Sequence, residues 1–223
     1  MTAASLFRLS LISLILAGLL VKGVVFADPF DEKMSMDTTR IDIAVNGDRF
    51  SIPRNYLVEM SDWSGGNQKD GVSLRVVYPG LNPYSAETAD CMSRKIKCRI
   101  YDVHFSPTGD FSSERGIENI IKLSEHPAGR QGSYGFWMYE VGEKKHRIDF
   151  FQKEISGKKI VFDCQLYDIE GKSGGVCHHF SHTKTGRVSL SYFFEMNDGL
   201  KDAVEVDRAI TDLVNNFSAE GGK

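Results

Sequence analysis

Histidines cluster in one short segment, and histidine is both a common metal ligand and the usual proton carrier of enzymes. The segment reads Cys177-His178-His179-Phe180-Ser181-His182. Its pattern predicts a strand, in which His178 and His182 share a face about 13 Å apart while His179 points to the opposite face. One ion cannot span that distance, because metal–nitrogen bonds are about 2.1 Å long. We therefore expect an exposed polar strand face without a metal or cofactor. A helical segment would instead let both histidines reach one ion.

A glycine-rich stretch, Gly171-Lys172-Ser173-Gly174-Gly175, matches the Gly-x-Ser-x-Gly pattern of hydrolases. That pattern needs a sharp turn from a strand into a helix, which lifts the serine hydroxyl above a parallel sheet. Here a strand is predicted to follow, so the stretch is interpreted as a glycine-rich turn. The same residues resemble the end of a phosphate-binding loop, but the required earlier glycine would fall at Leu166, so that match fails.

The other candidates for acid–base chemistry are scattered along the chain. They are three histidines and three aspartates: His104, His126, His146, Asp102, Asp110 and Asp149. A general base must lie within hydrogen-bond reach of the proton it takes, and nothing in this spacing brings a pair together. The sequence therefore predicts no catalytic residue.

The four cysteines predict two disulfides. An even count suits bridges in an oxidising compartment, and the paired Cys-x-x-Cys spacing of a zinc site is absent. Four cysteines allow three connectivities. The local pairing, Cys91 with Cys98 and Cys164 with Cys177, is favoured because each pair is close in sequence and flanks a stretch resembling a turn.

Composition excludes several broad classes. The 223 residues are 41% hydrophobic and 26% charged, values typical of a globular protein rather than a disordered or fibrous chain. The formal net charge is -3, which has the wrong sign for a dedicated nucleic-acid binder. We therefore expect no nucleic acid among the partners.

The N-terminus predicts export. Arg8 precedes an apolar run from Leu9 to Val21, and Val25-Phe26-Ala27 offers small residues for cleavage before Asp28. This is the pattern of a secretory signal peptide over residues 1–27, followed by one domain over residues 28–223. The short N-terminal region suits the periplasm of a Gram-negative bacterium. Removal of Arg8 and Lys22 would leave the mature chain more acidic.

Two other interpretations of the N-terminus are weaker. Leu9 to Phe26 is near the lower limit for an uncleaved membrane anchor, but Lys22 interrupts it. Leu16-Ala17-Gly18 resembles the start of a lipoprotein signal, but Leu19 stands where a cysteine is needed. No other segment reaches spanning length, so we expect no stable membrane insertion after cleavage.

Short strands dominate the expected structure. Arg40–Val45 and residues 49–52 flank Asn46-Gly47, the strongest short signal for a hairpin. Single strands are expected over Val72–Tyr78 and Ile96–Phe105. From Tyr134 onward, close spacing without crossovers predicts an antiparallel meander. Its five strands are Gly135–Val141, His146–Gln152, Lys159–Leu166, Val176–His182 and Arg187–Met196.

Helices should cover one face of this sheet. One is expected from Ser112 or Ser113 to about Ser124, and a short turn or helix is expected over Asn55–Met60. The final helix begins after Asn197 or Asp198, and its apolar face includes Leu200, Ile210 and Phe217, interrupted by Asp207. The fold class is therefore α+β, a single domain with an antiparallel sheet packed by a C-terminal amphipathic helix and one or two short helices.

Aromatic residues in loops and on one strand suggest a contact surface. The loops 63–71 and 78–88 carry aromatic side chains among Gly, Asn and Pro, and binding residues often collect on loops of a rigid sheet. Alternation places two further aromatics on one face of strand 135–141. The candidate partner-binding residues are Trp63, Tyr78, Tyr84, Trp137 and Tyr139.

The overall pattern resembles small periplasmic immunity proteins encoded beside type VI secretion effectors. The resemblance rests on the signal peptide, Phe50-Ser51-Ile52-Pro53-Arg54-Asn55-Tyr56-Leu57, Val72-Ser73-Leu74-Arg75-Val76-Val77-Tyr78-Pro79-Gly80-Leu81-Asn82-Pro83, the aromatic meander and the closing helix. It implies a protein that binds and blocks a toxin, such as a lipase, delivered into the periplasm. It carries over no specific toxin-binding residue.

Three functions follow as hypotheses. The first is a non-catalytic periplasmic protein that neutralises a cognate toxin. The second is a periplasmic hydrolase or small-ligand-binding protein in which the fold unites a histidine with a carboxylate. The third is a structural module of envelope assembly.

Overall fold

An eight-stranded antiparallel sheet organises the chain. The computed structural model describes residues 34–58, 60–108, 119, 121–122, 124, 127–142, 148–169, 172–183 and 185–219. The predicted signal peptide lies outside these residues. The residues described from Met34 onward belong to one compact unit, and their strands and one long helix confirm the predicted α+β class.

The N-terminal strands form a small separate sheet. They are β1 (Arg40–Val45), β2 (Asp48–Pro53) and β3 (Gly66–Asn67), in the order β2-β1-β3. β1 and β2 are antiparallel and joined by Asn46-Gly47, as predicted. Both turn residues have positive φ, 48° and 86°, which the twist of a two-residue hairpin turn requires and which Asn-Gly adopts readily.

The remaining strands form the large sheet. Their bounds are β4 (Val72–Tyr78), β5 (Arg99–Pro107), β6 (Arg130–Gln131), β7 (Trp137–Val141), β8 (Ile148–Ile155), β9 (Lys158–Ile169), β10 (Lys172–His182) and β11 (Val188–Glu195). The spatial order is β4-β5-β11-β10-β9-β8-β7-β6. All the pairings are antiparallel, so the predicted meander runs from β7 to β11 and β5 closes against its last strand.

Helices occupy a smaller part of the structure. α1 (Ala89–Met92) is a single turn, and α2 (Met196–Phe217) is the predicted C-terminal amphipathic helix. Three short 3-10 helices lie at Arg54–Tyr56, Met60–Ser64 and Ser133–Gly135. The helix expected over residues 112–124 falls largely outside the described residues. Within it, Ile121 is helical and buried.

The core lies between the large sheet and two covering elements. α2 packs on β10 and β11, and the β1–β2 hairpin packs beside it. The β1–β2 hairpin thus covers the large sheet together with α2 and is not part of the meander. Five large apolar side chains of α2 are 5% exposed or less, and each stabilises the fold by about 1.5–3 kcal/mol: Leu200, Val206, Ile210, Val214 and Phe217.

Both disulfides have the local pairing that the sequence favours. Cys164 and Cys177 are directly opposite each other on β9 and β10, and both are fully buried. Cys91 and Cys98 connect α1 to the start of β5. Two such bridges are typical of a protein from an oxidising compartment.

The interpretation of residues 171–175 as a turn is wrong for the part that the structure describes. Residues 172–175 are the first residues of β10, and Ser173, Gly174 and Gly175 pair with Asp168, Tyr167 and Leu166. The long β9–β10 ladder simply continues through the glycines. A strand also replaces the helix that a hydrolase serine motif would need, so the rejection of that motif stands.

Candidate binding surface

The large sheet has one face covered by α2 and a second face that is exposed around β10 and β11. Along β11, Leu190, Tyr192 and Phe194 are buried under α2, whereas Phe193 between them is 51% exposed. Successive side chains of a strand point to opposite faces, so Phe193 marks the face that α2 does not cover. We call this face the outer face.

The strand register aligns one continuous row of side chains across the outer face. Residues directly opposite each other on neighbouring strands point to the same side and are in contact distance. Starting at β4, the row consists of Arg75, Asp102, Phe193, His178, Asp163 and Phe150. It ends at Tyr139 on β7. Charged groups therefore stand on both sides of a pair of rings.

An aromatic cluster lies at the centre of this row. The rings of His178 and Phe193 are stacked, with centroids 4.2 Å apart and an interplanar angle of 12°. Phe180 makes an edge contact with the other side of His178 at 3.8 Å. On the same strand, Phe180 is 37% exposed and Val176, on the other side of His178, is 41% exposed. Together with Phe193 these exposed apolar side chains surround His178, and groups of this kind mark interaction sites more often than scattered residues do.

A carboxylate lies on each side of the aromatic cluster. Asp163 Oδ1 is 3.5 Å from His178 Nδ1. Asp102 receives two hydrogen bonds from Arg75, at 2.6 Å from Nε and 3.0 Å from Nη2. The Arg75 side chain is 10% exposed and the Asp102 side chain 49%. The accessible charge of the pair is therefore the carboxylate, which leaves the centre of the outer face weakly acidic.

The opposite face carries a buried histidine–carboxylate pair. His179 Nε2 lies 2.8 Å from Asp207 Oδ1 of α2, with side-chain exposures of 3% and 5%. Its Nδ1 lies 2.6 Å from the carbonyl oxygen of Val161 and donates to it, because a carbonyl can only accept. Both ring nitrogens therefore face oxygen acceptors, and neither is directed at a substrate. His179 thus lies buried on the face opposite His178, as the alternation of the strand predicts.

Two tyrosines of the core respond to the same environment. Burial raises the pKa of Tyr192 well above its usual value, and the negative charge of Asp207 and nearby Tyr101 add to the effect. Burial also raises the pKa of Tyr101 to about 12. Both phenols are thus held neutral, which suits a structural core rather than a site of proton transfer.

The grooves found among the described residues are open to solvent. A groove of about 290 Å³ runs between α2 and the β8–β9 hairpin, lined by Ile155, Ser156, Ile160, Val204, Asp207 and Arg208. Its buried carboxylate, Asp207, is committed to His179. Within the described residues, no group of three or more His, Cys, Asp or Glu side chains could hold a metal ion.

The structure divides the predicted partner-binding residues into two sets. Trp63 and Tyr78 pack against the main core, each beneath an arginine, and Tyr84 packs on the small cluster around Cys91. Trp137 is 52% exposed and Tyr139 partly buried, and both lie on the outer face. The loop residues are therefore not assembled with the strand residues into one patch.

The sequence did not predict the central residues of the outer face. Phe193 was visible only as part of the run Tyr192-Phe193-Phe194. The available signal was alternation, since three consecutive aromatics in a strand must place one on the face opposite the other two. His178 and Asp163 gave no such signal, because only the strand register brings them together.

The fold is an α+β domain with an open antiparallel sheet, one face of which is covered by a C-terminal helix and a hairpin. A solved structure with a similar fold is an immunity protein of the Stenotrophomonas maltophilia type IV secretion system. The TM-score is 0.56 and the sequence identity 15%, over 82% of this chain and 94% of that chain. At this identity the likeness concerns the fold.

Other comparisons add two findings. No protein-family model and no curated protein matches the sequence. Among the described residues, no helix combines the length and apolar character needed to cross a bilayer.

Proposed function

We propose that this chain is a non-catalytic binding protein of the cell envelope that neutralises a protein toxin. The observation that carries the proposal is the outer face, a rigid strand surface with exposed aromatic side chains at its centre. Aromatic residues dominate the energetics of protein interfaces because they bury large apolar areas at a low cost in conformational entropy. A flat, weakly acidic surface of this kind suits a protein partner better than a small substrate.

Three further facts support this function. The fold resembles that of an immunity protein of a type IV secretion system. The two disulfides suit an oxidising compartment such as the periplasm, to which the N-terminal segment would direct the chain. The fold unites two histidine–carboxylate pairs among the described residues, but one is buried in the core and the other lies on the outer face. These facts favour binding over hydrolysis.

The secretion system that delivers the toxin is a finer part of the proposal. The sequence resemblance points to a type VI effector such as a lipase, whereas the structural neighbour belongs to a type IV system. In either case the physical requirement on an immunity protein is the same: a stable surface complementary to the toxin. The identity of the captured toxin decides between them.

The test begins with capture. The oxidised protein, expressed from its full-length sequence, is used to capture partners from the envelope of the producing strain. Each secreted enzyme that binds is purified and assayed with increasing amounts of the protein. We expect inhibition that is complete at a fixed molar ratio. If none of the captured enzymes is inhibited, the toxin-neutralising function is rejected.

A charged substitution in the aromatic cluster tests whether the outer face contacts the toxin. Phe193→Asp should weaken binding by at least about 30-fold, the equivalent of an interface hot spot. Ile96→Asp is the matched control, because Ile96 is 53% exposed and lies outside the outer row. Equal loss of inhibition in both variants, or none in Phe193→Asp, would place the contact elsewhere.

A further inference from the structure

A short loop closed by a disulfide carries three cations around one exposed apolar side chain. The bridge joins Cys91 to Cys98, and we call residues 91–98 the disulfide loop. Its residues 93–97 are all exposed and end in the run Arg94-Lys95-Ile96-Lys97. Ile96, between the two lysines, is 53% exposed, one of the highest values among the large apolar side chains described. The disulfide loop therefore presents positive charge and apolar surface together.

The disulfide loop is presented from a fixed base. The carbonyl oxygen of Asp90 accepts two backbone hydrogen bonds, at 2.9 Å from the N–H of Lys95 and at 3.3 Å from that of Ile96. Beneath the loop, a small buried apolar cluster holds both the loop's first residues and strand β4: Val77, Cys91 and Met92. A surface fixed in this way loses little conformational entropy when it binds.

The charge of the disulfide loop is opposite to that of the chain as a whole. Residues 90–98 contain three cations and one carboxylate, a net charge of +2, whereas the whole chain has a formal net charge of -3. The carboxylate is Asp90, whose Oδ1 lies 3.4 Å from Lys95 Nζ. These two side chains are 63% and 71% exposed, so water screens the pair and it adds little. The partner of this loop should therefore be anionic.

A bilayer surface suits the disulfide loop better than a protein does. A stable protein interface takes roughly 800 Å² from each partner, which is more than a loop of five exposed residues provides. An anionic bilayer needs no complementary shape, because each Lys or Arg near its surface strengthens binding by about fivefold. An apolar side chain beside the cations adds to this by entering the headgroup region.

We infer that the disulfide loop docks the protein on the surface of bilayers that contain anionic phospholipid. Ile96 enters the headgroup region, and the three cations of the loop lie against the lipid phosphates around it. The contact is peripheral. The residues outside 90–98 carry a net charge of -5, the difference between -3 and +2, and the bilayer repels them. Since this repulsion reaches only about 8 Å at physiological salt, it orients the protein with the loop toward the lipid without preventing contact.

Vesicle sedimentation tests the inference and needs no toxin. The oxidised protein is recovered without detergent from cells that express the full-length sequence. It is mixed with vesicles of phosphatidylcholine and phosphatidylglycerol, or of phosphatidylcholine alone. On the anionic vesicles we expect half-saturation at about 1 mM accessible lipid, weakening as salt is added. On phosphatidylcholine alone we expect binding at least about tenfold weaker, because the electrostatic attraction is lost.

Two variants separate the charges from the apolar side chain. Lys95→Gln/Lys97→Gln should weaken binding to the anionic vesicles by about 20-fold, since two cations are removed. Ile96→Asp should also lose vesicle binding, although it should leave toxin inhibition unchanged.

The matched control is Arg49→Gln/Lys69→Gln, which removes the same net charge from two other exposed positions. Lys69 shortly precedes Val72, which pairs with Phe105, whereas the disulfide loop leads into Arg99 at the other end of this strand pair. The control should therefore keep its affinity for the vesicles within about twofold, because its cations lie beyond a Debye length from the docked loop.

Three results would overturn the inference. They are equal binding to both kinds of vesicle, an unchanged affinity in Lys95→Gln/Lys97→Gln, and the same weakening in the matched control, which would show only an effect of net charge. If the lysine variant lost toxin inhibition and kept vesicle binding, the loop would belong to a protein contact instead. Vesicle binding is measured without the toxin, so failure of this inference and failure of the proposed function remain distinguishable.

Discussion

Asp207 is the polar residue that interrupts the apolar face of α2, and its partner is the one histidine of β10 that points inward. A carboxylate buried to 3% exposure would be strongly destabilising if it were alone. His179 lies 2.8 Å away and is itself bonded to the carbonyl of Val161, so the pair connects the helix to two neighbouring strands. Such a pair fixes the position of the helix along the sheet.

Removing one member of this pair should cost much more than removing both. Asp207→Ala is expected to lower the free energy of unfolding by about 3–5 kcal/mol, because His179 loses its carboxylate in a buried site. The double variant His179→Phe/Asp207→Leu should recover most of that loss, since well-packed apolar residues can replace a buried pair. Denaturant unfolding measures both. Asp212→Ala, an exposed position on the same helix, serves as the control and should change little. Additive losses in the double variant would contradict the pairing.

The buried tyrosines predict an alkaline limit of stability. An unfolded tyrosine ionises near pH 10, whereas the folded protein holds the pKa of Tyr101 at about 12. The folded state therefore keeps its full advantage below pH 10 and loses it as the pH rises from about 10 to about 12. Tyrosinate absorbance should therefore include a step that coincides with unfolding, followed in parallel by circular dichroism. In Tyr101→Phe this step should shrink; an unchanged step would show that Tyr101 ionises in the folded protein.

At the scale of elements, close approach of two strands makes one glycine obligatory. Gly71 precedes β4 with φ of 102°, and an added Cβ would lie 2.5 Å from the carbonyl oxygen of Phe105 and 2.9 Å from Cα of Ser106. These atoms belong to the backbone of β5, which cannot move without disturbing the sheet. A side chain at position 71 therefore meets both an unfavourable φ and a steric clash.

We expect Gly71→Ala to destabilise the protein by about 2–4 kcal/mol, from the sum of the positive φ and the clash. Gly157→Ala separates the two contributions. Gly157 also has positive φ, 79°, but an added Cβ would have no atom within 4 Å, so its loss should be about 1 kcal/mol. Thermal or denaturant unfolding gives both values. Equal losses in the two variants would show that β5 yields to the added methyl group without penalty.

The elements that could be predicted from the sequence are those with strong local signals. β1 and β4 have the predicted bounds because β1 alternates and Asn46-Gly47 defines the first hairpin, while β4 is rich in β-forming residues and ends at Pro79-Gly80. The start of β10 was missed because glycines have no side chain to show alternation. The His179–Asp207 pair was missed because each residue alone only breaks an apolar pattern. Their pairing depends on how α2 lies on the sheet, which no local pattern encodes.

On the scale of the whole molecule, the large sheet serves two purposes through its two faces. The inner face provides the core, with Phe162 and Phe194 in edge contact at 5.3 Å beneath α2. The outer face presents the stacked rings of Phe193 and His178 to solvent. The side chains of both faces come from the same hydrogen-bonded strands. The strand pairing that forms the core therefore also fixes the position of the aromatic cluster. A preorganised surface loses little conformational entropy when it binds.

Two neighbouring phenylalanines test this division directly. Phe194 is 6% exposed and Phe193 51%, so Phe194→Ala should lower the free energy of unfolding by about 3–5 kcal/mol and Phe193→Ala by about 1 kcal/mol or less. At equal concentrations of folded protein, Phe193→Ala should reduce toxin inhibition more than Phe194→Ala does, since only Phe193 lies on the proposed contact surface. Denaturant unfolding and inhibition at equal concentrations of folded protein measure the two effects. A large stability loss in Phe193→Ala would mean that the outer face is a second packed face rather than a surface for binding.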